Sequence, residues 1–388
     1  MIGPRRLLAA RIGITATFAL AGLVSAVGSV RIPALTDRLH LNPAEVGVAL
    51  LSVGVGAAIA TQTGRWLIGR FGSRRVLVIA CPAMAGLSAG SGVAPTFTLL
   101  VAAFALYGAA FGLLDSSMNA QAATLERVAG RHLMNGAHAG WSVGAVTGGG
   151  IGALTAFLGL SYTQATVGTA MVAFPVALAL AGTYLVDPPA EVTAAGGRPR
   201  VPPVVYLVGA VTLGSFLIEG SVSNWSSLYL RDELGAAQAV AALGYPSLEL
   251  AMIVGRTGGD RVRRVVGSRV MLTTSGLVAL VGLGLVVGAW HWSVAAAGFF
   301  VVGLAVSTVV PLTFSIAGAL DPSGAGVAQA AAMGYTGMLV GPVALGLVAE
   351  GTSLRVAFGV VAVIALLMSG LGRLLPTGAP AVEVAVSR

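Results

Sequence analysis

The sequence predicts an all-α membrane protein whose twelve transmembrane helices form two six-helix bundles. Three observations predict it. Of 388 residues, 56% are hydrophobic and only 9% charged, with a mean hydropathy of +0.91. An ordinary soluble domain carries about 25% charged residues, so this composition could not cover a surface facing water, whereas lipid tolerates it. Twelve stretches reach the ~20 mostly apolar residues that a crossing helix needs. Finally, an arginine-rich segment occurs twice, as GRWLIGRFGSRRV from Gly64 to Val76 and GRTGGDRVRRVVGSRV from Gly255 to Val270. The copies start 191 residues apart (255 − 64), about half the chain. Each copy joins two apolar runs, as an internal duplication would require.

The expected spans are 8–30, 44–63, 76–94, 97–119, 134–158, 163–186, 204–228, 237–255, 270–289, 293–318, 326–349 and 354–375. The run 44–63 is short and polar at its end, and 134–158 is rich in glycine. Arg5 and Arg6 before the first run resemble the start of a secretory signal. The many similar runs that follow make the first one a helix that stays attached. Asp187 to Pro203 (DPPAEVTAAGGRPRVPP) gathers proline, glycine and charge and breaks the apolar pattern, as a linker does. The expected division is therefore 1–186, a linker 187–203, and 204–388. His138-Ala-Gly-Trp-Ser has a counterpart in Met333-Gly-Tyr-Thr, which sets Trp141 and Tyr335 194 residues apart (335 − 141), close to the loop offset.

Charge fixes the orientation. All 22 basic residues are arginine. With the N-terminus inside, only Arg31, Arg38, Arg231 and Arg355 fall on the outer side. This bias places both termini in the cytoplasm of a cytoplasmic-membrane protein. The net charge of +8 does not indicate nucleic acid, because the arginines sit in short loops between apolar runs. Cys81 is the single cysteine, so no disulfide framework or thiol metal site exists. Gly54-Val-Gly56 lies inside a span and is no nucleotide loop. With no phosphate loop, HExxH or nucleophile elbow, neither an enzyme nor a cofactor or metal is expected. The partners expected are a small-molecule substrate, a coupling proton and the bilayer, with the chain acting as a monomer.

Three acids fall inside spans: Asp115, Glu219 and Glu249. An ionised carboxylate at mid-bilayer costs several kcal/mol unless it meets a partner or a wet cavity. Glu219 lies about 22 Å along its helix and Glu249 about 16 Å along its own. No arginine is expected deep in a span, so each acid is protonated, hydrogen-bonded to neutral groups, or neutralised by a cation that comes and goes. Local partners compete with function: Ser223 for Glu219 and Asn119 for Asp115. His138 titrates near neutral pH and either relays protons or binds a backbone carbonyl. Trp141, Trp225 and Tyr335 are candidate cavity walls, with an interfacial belt as the competing position for Trp225. Trp290 and Trp292 flank His291 as belt residues.

The twelve spans, central linker and duplicated arginine loops resemble the major facilitator superfamily. Its loop pattern is roughly Gly-x-x-x-Asp-Arg-x-Gly-Arg-Arg. The first copy keeps Arg70, Gly72, Arg74 and Arg75 but has Gly69 at the acid's place; the second keeps Asp260 beside Arg261. The resemblance implies two rocking bundles, a substrate site between them, and a cytoplasmic latch built on these loops. Arg31-Ile-Pro-Ala-Leu, Gly72-Ser-Arg-Arg-Val, Asp115-Ser-Ser-Met-Asn-Ala-Gln, Glu219-Gly and Asn224-Trp-Ser-Ser-Leu-Tyr-Leu-Arg-Asp are similar to the branch typified by a rhizopine-uptake membrane protein. That branch implies uptake of a polyol-like or amino-sugar-like solute, with Asn224 added to the site residues. Gly144-x-x-x-Gly148-Gly149-x-x-Gly152 resembles an exporter motif in which Gly149 replaces a proline; small-residue packing is the competing reading. Export of a drug or metabolite, and a sensor that binds without transporting, remain open alternatives.

Overall fold

A computed structural model describes residues 3–130, 133–187, 201–321 and 325–375. Those residues form α1 (Pro4–Val30), α2 (Ile32–Leu39), α3 (Pro43–Phe71), α4 (Ser73–Val93), α5 (Phe97–Ala129), α6 (Met134–Phe157) and α7 (Tyr162–Leu180). After the linker come α8 (Pro203–Leu228), α9 (Gln238–Ala241), α10 (Gly244–Val266), α11 (Ser268–Val287), α12 (Trp292–Val306), α13 (Val309–Leu320), α14 (Ala325–Gly351) and α15 (Leu354–Leu374). No strand occurs among the described residues. Local sequence starts and stops these helices. Asn42 accepts from Glu45 N–H while the Glu45 carboxylate accepts from Asn42 N–H, a reciprocal cap at the start of α3. Ser161 and Gln164 do the same for α7, and Gly130 ends α5 in the left-handed region.

Eleven helical stretches are long and apolar enough to cross a bilayer. The twelfth crossing is α6, a 24-residue helix whose glycines dilute its apolarity. Several expected boundaries move. The second span runs on to Phe71 and the fourth to Ala129, because a helix continues beyond the lipid wherever nothing breaks it. The eighth is split into α9 and α10, and the tenth is interrupted at Ser307-Thr308 between α12 and α13. Of the expected linker, 188–200 lie outside the described residues, and helix resumes at Pro203.

The duplication is visible in packing. A Cβ on Gly108 would lie 2.0 Å from the Val53 carbonyl oxygen, and one on Gly303 2.4 Å from that of Leu248. Both members of the pair move by 195 residues (303 − 108, 248 − 53). Likewise Gly144 presses on the Ala19 carbonyl, with a Cβ distance of 1.9 Å, and Gly337 on that of Leu213, at 2.2 Å. Thus α3–α5 is repeated by α10–α12, and α1–α6 by α8–α14. The glycines of the exporter-like stretch therefore act in close helix packing, as small residues do in lipid.

The two arginine segments end in the same break. Gly72 (φ 83°) separates α3 from α4, and Gly267 (φ 79°) separates α10 from α11, again 195 apart (267 − 72). This corrects the 191-residue alignment by one helical turn. Counted from the breaks, Asp260 corresponds to Arg65, and Gly69 to Arg264. Asp260 is therefore not the second-copy equivalent of position 69; its side chain, like that of Arg65, lies outside the described residues.

A methyl group at position 144 has no room against a backbone oxygen, whereas one at Gly150 meets nothing within 4 Å. Gly144→Ala is expected to lose about 1–3 kcal/mol, the usual cost of overpacking. Thermal unfolding in detergent should show a lowered midpoint for Gly144→Ala and an unchanged one for Gly150→Ala.

Candidate functional site

Helices α1–α7 pack mainly on one another, as do α8–α15; the two groups meet chiefly through α3 against α14 and α6 against α10. One end of this seam is closed. Arg231, carried on a π-helical turn from Tyr229 to Glu233, donates to the Pro33 carbonyl (2.6 Å), to Asp37 (2.8 Å) and to Thr36 Oγ1 (3.1 Å). Gln238 donates to the other oxygen of Asp37 (3.0 Å) and Ser227 to the Ser29 carbonyl (3.4 Å). Gly149 abuts Pro246, and Gly47 abuts the Val343 backbone. A further hydrogen bond between the groups lies deeper, from Arg256 to Ser142 Oγ (3.3 Å). Toward the arginine-bearing breaks no such clamp occurs among the described residues, and Tyr335, mid-helix on α14 and within electrostatic reach of Asp115 on the other group, is 53% exposed.

Two clusters of sequence-nominated residues face this seam. In the first, Asp115 on α5 is half-buried. Asn119, one turn on, donates to its Oδ1 (3.1 Å) and its carbonyl (2.9 Å), so the local partner is real. Tyr335 of α14 lies within electrostatic reach of the same carboxylate and stacks on Phe216, ring centroids 5.7 Å apart. On the facing wall, Trp141 meets Phe111 edge-on at 5.8 Å, and His138 lies 4.9 Å from the Phe18 ring.

In the second cluster, Tyr245 donates to Glu249 Oε1 (2.9 Å). Glu249 is 3% exposed and its Oε2 has no hydrogen-bond partner. Glu219 is half-buried. Its expected partner, Ser223, donates instead to the Glu219 backbone carbonyl (2.7 Å), which leaves the carboxylate facing Arg256 and Glu249. Ser142 and Trp141 reach this cluster from α6.

Arg256 overturns the expectation that these acids have no internal cation. It was assigned to a cytoplasmic loop because its segment is arginine-rich. Yet α10 continues to Val266, and Arg256 lies about 18 Å along it. Its guanidinium is within electrostatic reach of Glu219, Glu249 and His138. The seven-residue spacing from Glu249 puts both on one helix face, a signal available once the helix end is placed at Gly267.

Trp225 is not exposed as a belt residue would be, and it borders the depression around Asp37 and Arg231. It is wholly buried, donating its indole N–H to the Pro342 carbonyl (3.2 Å) at the proline of α14. Asn224 next to it donates back to the Gly220 carbonyl (2.8 Å) on its own helix. Trp290, in contrast, is 82% exposed, as a belt residue would be. Surface depressions of about 470 and 270 Å³ lie at the closed end, around Arg38 and around Asp37 and Arg231. Arg38 there donates to the carbonyls of Ser91, Gly92 and Ala94, Arg231 clamps Asp37, and none of the intramembrane acids lines them.

At the first arginine break an acid missing from the sequence motif is supplied from elsewhere. Asp187 accepts from Ser73 Oγ (2.5 Å), from the Arg74 backbone N–H (3.2 Å) and from Thr124 Oγ1 (3.4 Å). Gln121 also donates to Ser73 Oγ (2.8 Å). Asp187 thereby caps the start of α4, and a Cβ on Gly72 would lie 2.7 Å from its Oδ2. Arg70 covers the Phe71 ring at 5.6 Å, Arg74 is half-buried, and Arg75 and Arg261 are exposed. At the second break Ser268 accepts from Arg263 (3.2 Å). No local pattern marks Asp187, which is 114 residues from Ser73 (187 − 73).

A profile of the Major Facilitator Superfamily matches residues 13–334. The chain is 34% identical to the uncharacterized transporter y4wD of Sinorhizobium fredii, over 96% of this chain and 99% of that protein. It is 28% identical to the membrane protein MosC of Rhizobium meliloti, over 87% and 83%. Among solved structures it resembles a bacterial homolog of the human lysosomal transporter Spinster, inward-facing and occupied, with TM-score 0.82, 12% identity and 97% of each chain covered. It also resembles the nucleoside transporter NupG, with TM-score 0.73, 14% identity, and 95% and 98% covered.

Removing the Asp187 cap should cost about 0.5–2 kcal/mol, the usual value of a helix N-cap. Asp187→Ala is expected to lower the unfolding midpoint measured in detergent, and Asp187→Asn, which keeps an acceptor, to lower it less. Equal midpoints for Asp187→Ala and the parent would remove Asp187 from this role.

Proposed function

The chain belongs to the Major Facilitator Superfamily, and from that premise we propose that it is a secondary active transporter that moves a small solute across the cytoplasmic membrane by alternating access, coupled to protons. One observation carries the reading: Asp115 and Glu219, both half-buried, lie on the two helix groups along a seam that is clamped at one end and leaves Tyr335 exposed away from the clamp. Residues 1–186 and 204–388 act as two bundles that rock about this seam, with the arginine-bearing breaks and both termini in the cytoplasm. The arginine bias supports that orientation. Asp115, Asn119, Tyr335, His138 and Trp141 face the solute, and Glu219 or Asp115 takes the coupling proton. A carboxylate in such a wet cleft can load and release a proton as access alternates.

The aromatic walls, Phe111 with Trp141 and Phe216 with Tyr335, offer flat apolar faces beside carboxylates. They suit a compact polar solute with an apolar face, such as a polyol or amino sugar. Direction is decided by experiment, since the exporter-like glycines serve packing.

Counterflow in proteoliposomes with polyols, amino sugars and cationic drugs tests the reading. A substrate is expected to exchange without a gradient and to accumulate under an imposed pH gradient. Glu219→Gln or Asp115→Asn should cut gradient-driven accumulation about tenfold or more while sparing exchange, because a group that no longer titrates cannot carry the proton. Unchanged accumulation in both variants would defeat proton coupling through these acids. Ligand binding without any counterflow would defeat transport itself.

A further inference from the structure

Glu249 differs from the other intramembrane acids in where it sits. It is 3% exposed, so it is not a wall of the open crevice, and it lies in the contact between α6 and α10 that joins the two helix groups. Three residues before it, Pro246 presses on Gly149 of α6; seven residues after it, Arg256 donates to Ser142 of α6. The seam therefore closes over Glu249 from both sides. Its Oε1 accepts from Tyr245, and its Oε2 has no partner at hydrogen-bond distance, although the Ser142 hydroxyl of α6 lies beside the carboxyl group.

Glu249 has few charged or titratable neighbours among the described residues. On its own helix these are Tyr245 and Arg256; from α8 comes Glu219. From α6 come Ser142, which is neutral, and His138, which faces Arg256. Helices α9 and α12 carry no charged or titratable residue, α11 has only Arg269 at its first turn, and α1 has arginines only in its first eight positions. Arg256 does not neutralise Glu249 by contact. Its Nη1 is committed to Ser142 and its Nε to the Ser307 carbonyl, and the ion pairs among the described residues involve only Arg231 and Arg355.

The internal repeat makes the position more telling. Subtracting 195 from 249 gives Gly54, which packs on Leu339 in the equivalent contact between α3 and α14. At this matching position one seam sets glycine against leucine, and the other holds a carboxyl group with an empty acceptor. An ionised carboxylate costs several kcal/mol in such a place, and that cost vanishes once the seam parts and water enters.

We propose that Glu249 is a proton site that locks the α6–α10 seam, holding a proton on Oε2 while the seam is closed and losing it to water when the seam opens. This rests on the transporter reading, and it assigns Glu249 to the conformational step, not to solute contact. The bond broken is O–H on Oε2; the proton passes to water at the opened end, and the carboxylate left behind resists reclosure until it is protonated again. Raising the pH therefore favours the open seam.

The test follows the seam directly, without transport. Ala145 of α6 is wholly buried in the cluster that holds Tyr245 and Leu248, so Ala145→Cys reports opening through its reaction with a water-soluble thiol reagent. The native Cys81 is buried and gives a silent background. In proteoliposomes, labelling of Ala145→Cys is expected to speed up with pH more steeply than ionisation of the thiol alone requires, the excess being at most about tenfold per pH unit, the limit for one linked proton. Adding Glu249→Gln should remove this excess and keep labelling slow, and adding Glu249→Asp should restore an excess. If Glu249→Gln does not fold, Tyr245→Phe keeps the carboxyl but removes the donor to Oε1 and should move the midpoint of the profile. The same pH profile with and without Glu249→Gln, or an unmoved midpoint in Tyr245→Phe, overturns the proposal. Loss of the excess in a protein that still carries out counterflow supports it independently of how the coupling proton is carried.

Discussion

Close approach of helix backbones is the constraint on which the rest of this structure depends. In lipid, apolar side chains gain nothing from leaving the solvent, so helices must be held by contact at van der Waals distance and by hydrogen bonds. Here the contact comes from glycines set against carbonyl oxygens: Gly108 on Val53, Gly144 on Ala19, and their repeats Gly303 on Leu248 and Gly337 on Leu213. The side chains that would normally sit at these crossings are absent, and the helices approach until backbone meets backbone. That rigid pairing sets the walls of the crevice, because α6 carries His138 and Trp141, α8 carries Glu219 and α14 carries Tyr335.

The scaffold is duplicated but its charges are not. Moving Glu219 back by 194 residues, and Glu249 and Arg256 back by 195, gives Ser25, Gly54 and Thr61; moving Asp115 forward by 195 gives Val310. Packing positions therefore persist through the repeat while ionisable ones stand alone. This separates two kinds of residue on physical grounds. Glycine crossings answer to the bilayer and must recur wherever the helix pair recurs. Intramembrane charges answer to nothing in the packing and oppose it, so a function must account for them.

Much of this was legible in the sequence, and what was not shares a cause. The crossings, the two-part organisation and the three acids could be read because apolar run length and isolated charge are local properties. Even the glycine-rich α6 was legible as a span. The position of Arg256 was not, because hydropathy marks where lipid-compatible residues stop and not where a helix stops; α10 runs on as helix through its arginines to Gly267. The same blindness displaced the alignment of the two arginine segments by a turn, since matching letters outweighed the shared glycine break. Asp187 and Trp225 escaped for another reason. The first acts on Ser73 and the second on Pro342, and both partners lie more than a hundred residues away, where no periodicity reaches.

The closed end of the seam is held in a way that fits a protein obliged to open it. Arg231 is 19% exposed and its partner Asp37 57% exposed, and pairs so open to water contribute about 0–1 kcal/mol. The bonds to the Pro33 carbonyl and Thr36 hydroxyl add directional hold without burying a charge. An apolar seam of equal extent would be stronger, but it would place the two states of the proposed alternating access too far apart in energy to interconvert readily. The clamp is instead aimed by geometry: the π turn at Tyr229–Glu233 widens the helix end, and such turns recur where a helix is shaped for function. Behind it, Trp225 locks the same helix to the proline of α14, so the clamp is mounted on a rigid base. Weak contacts between the groups and strong contacts within each are together what the proposed movement of two bundles about the seam requires.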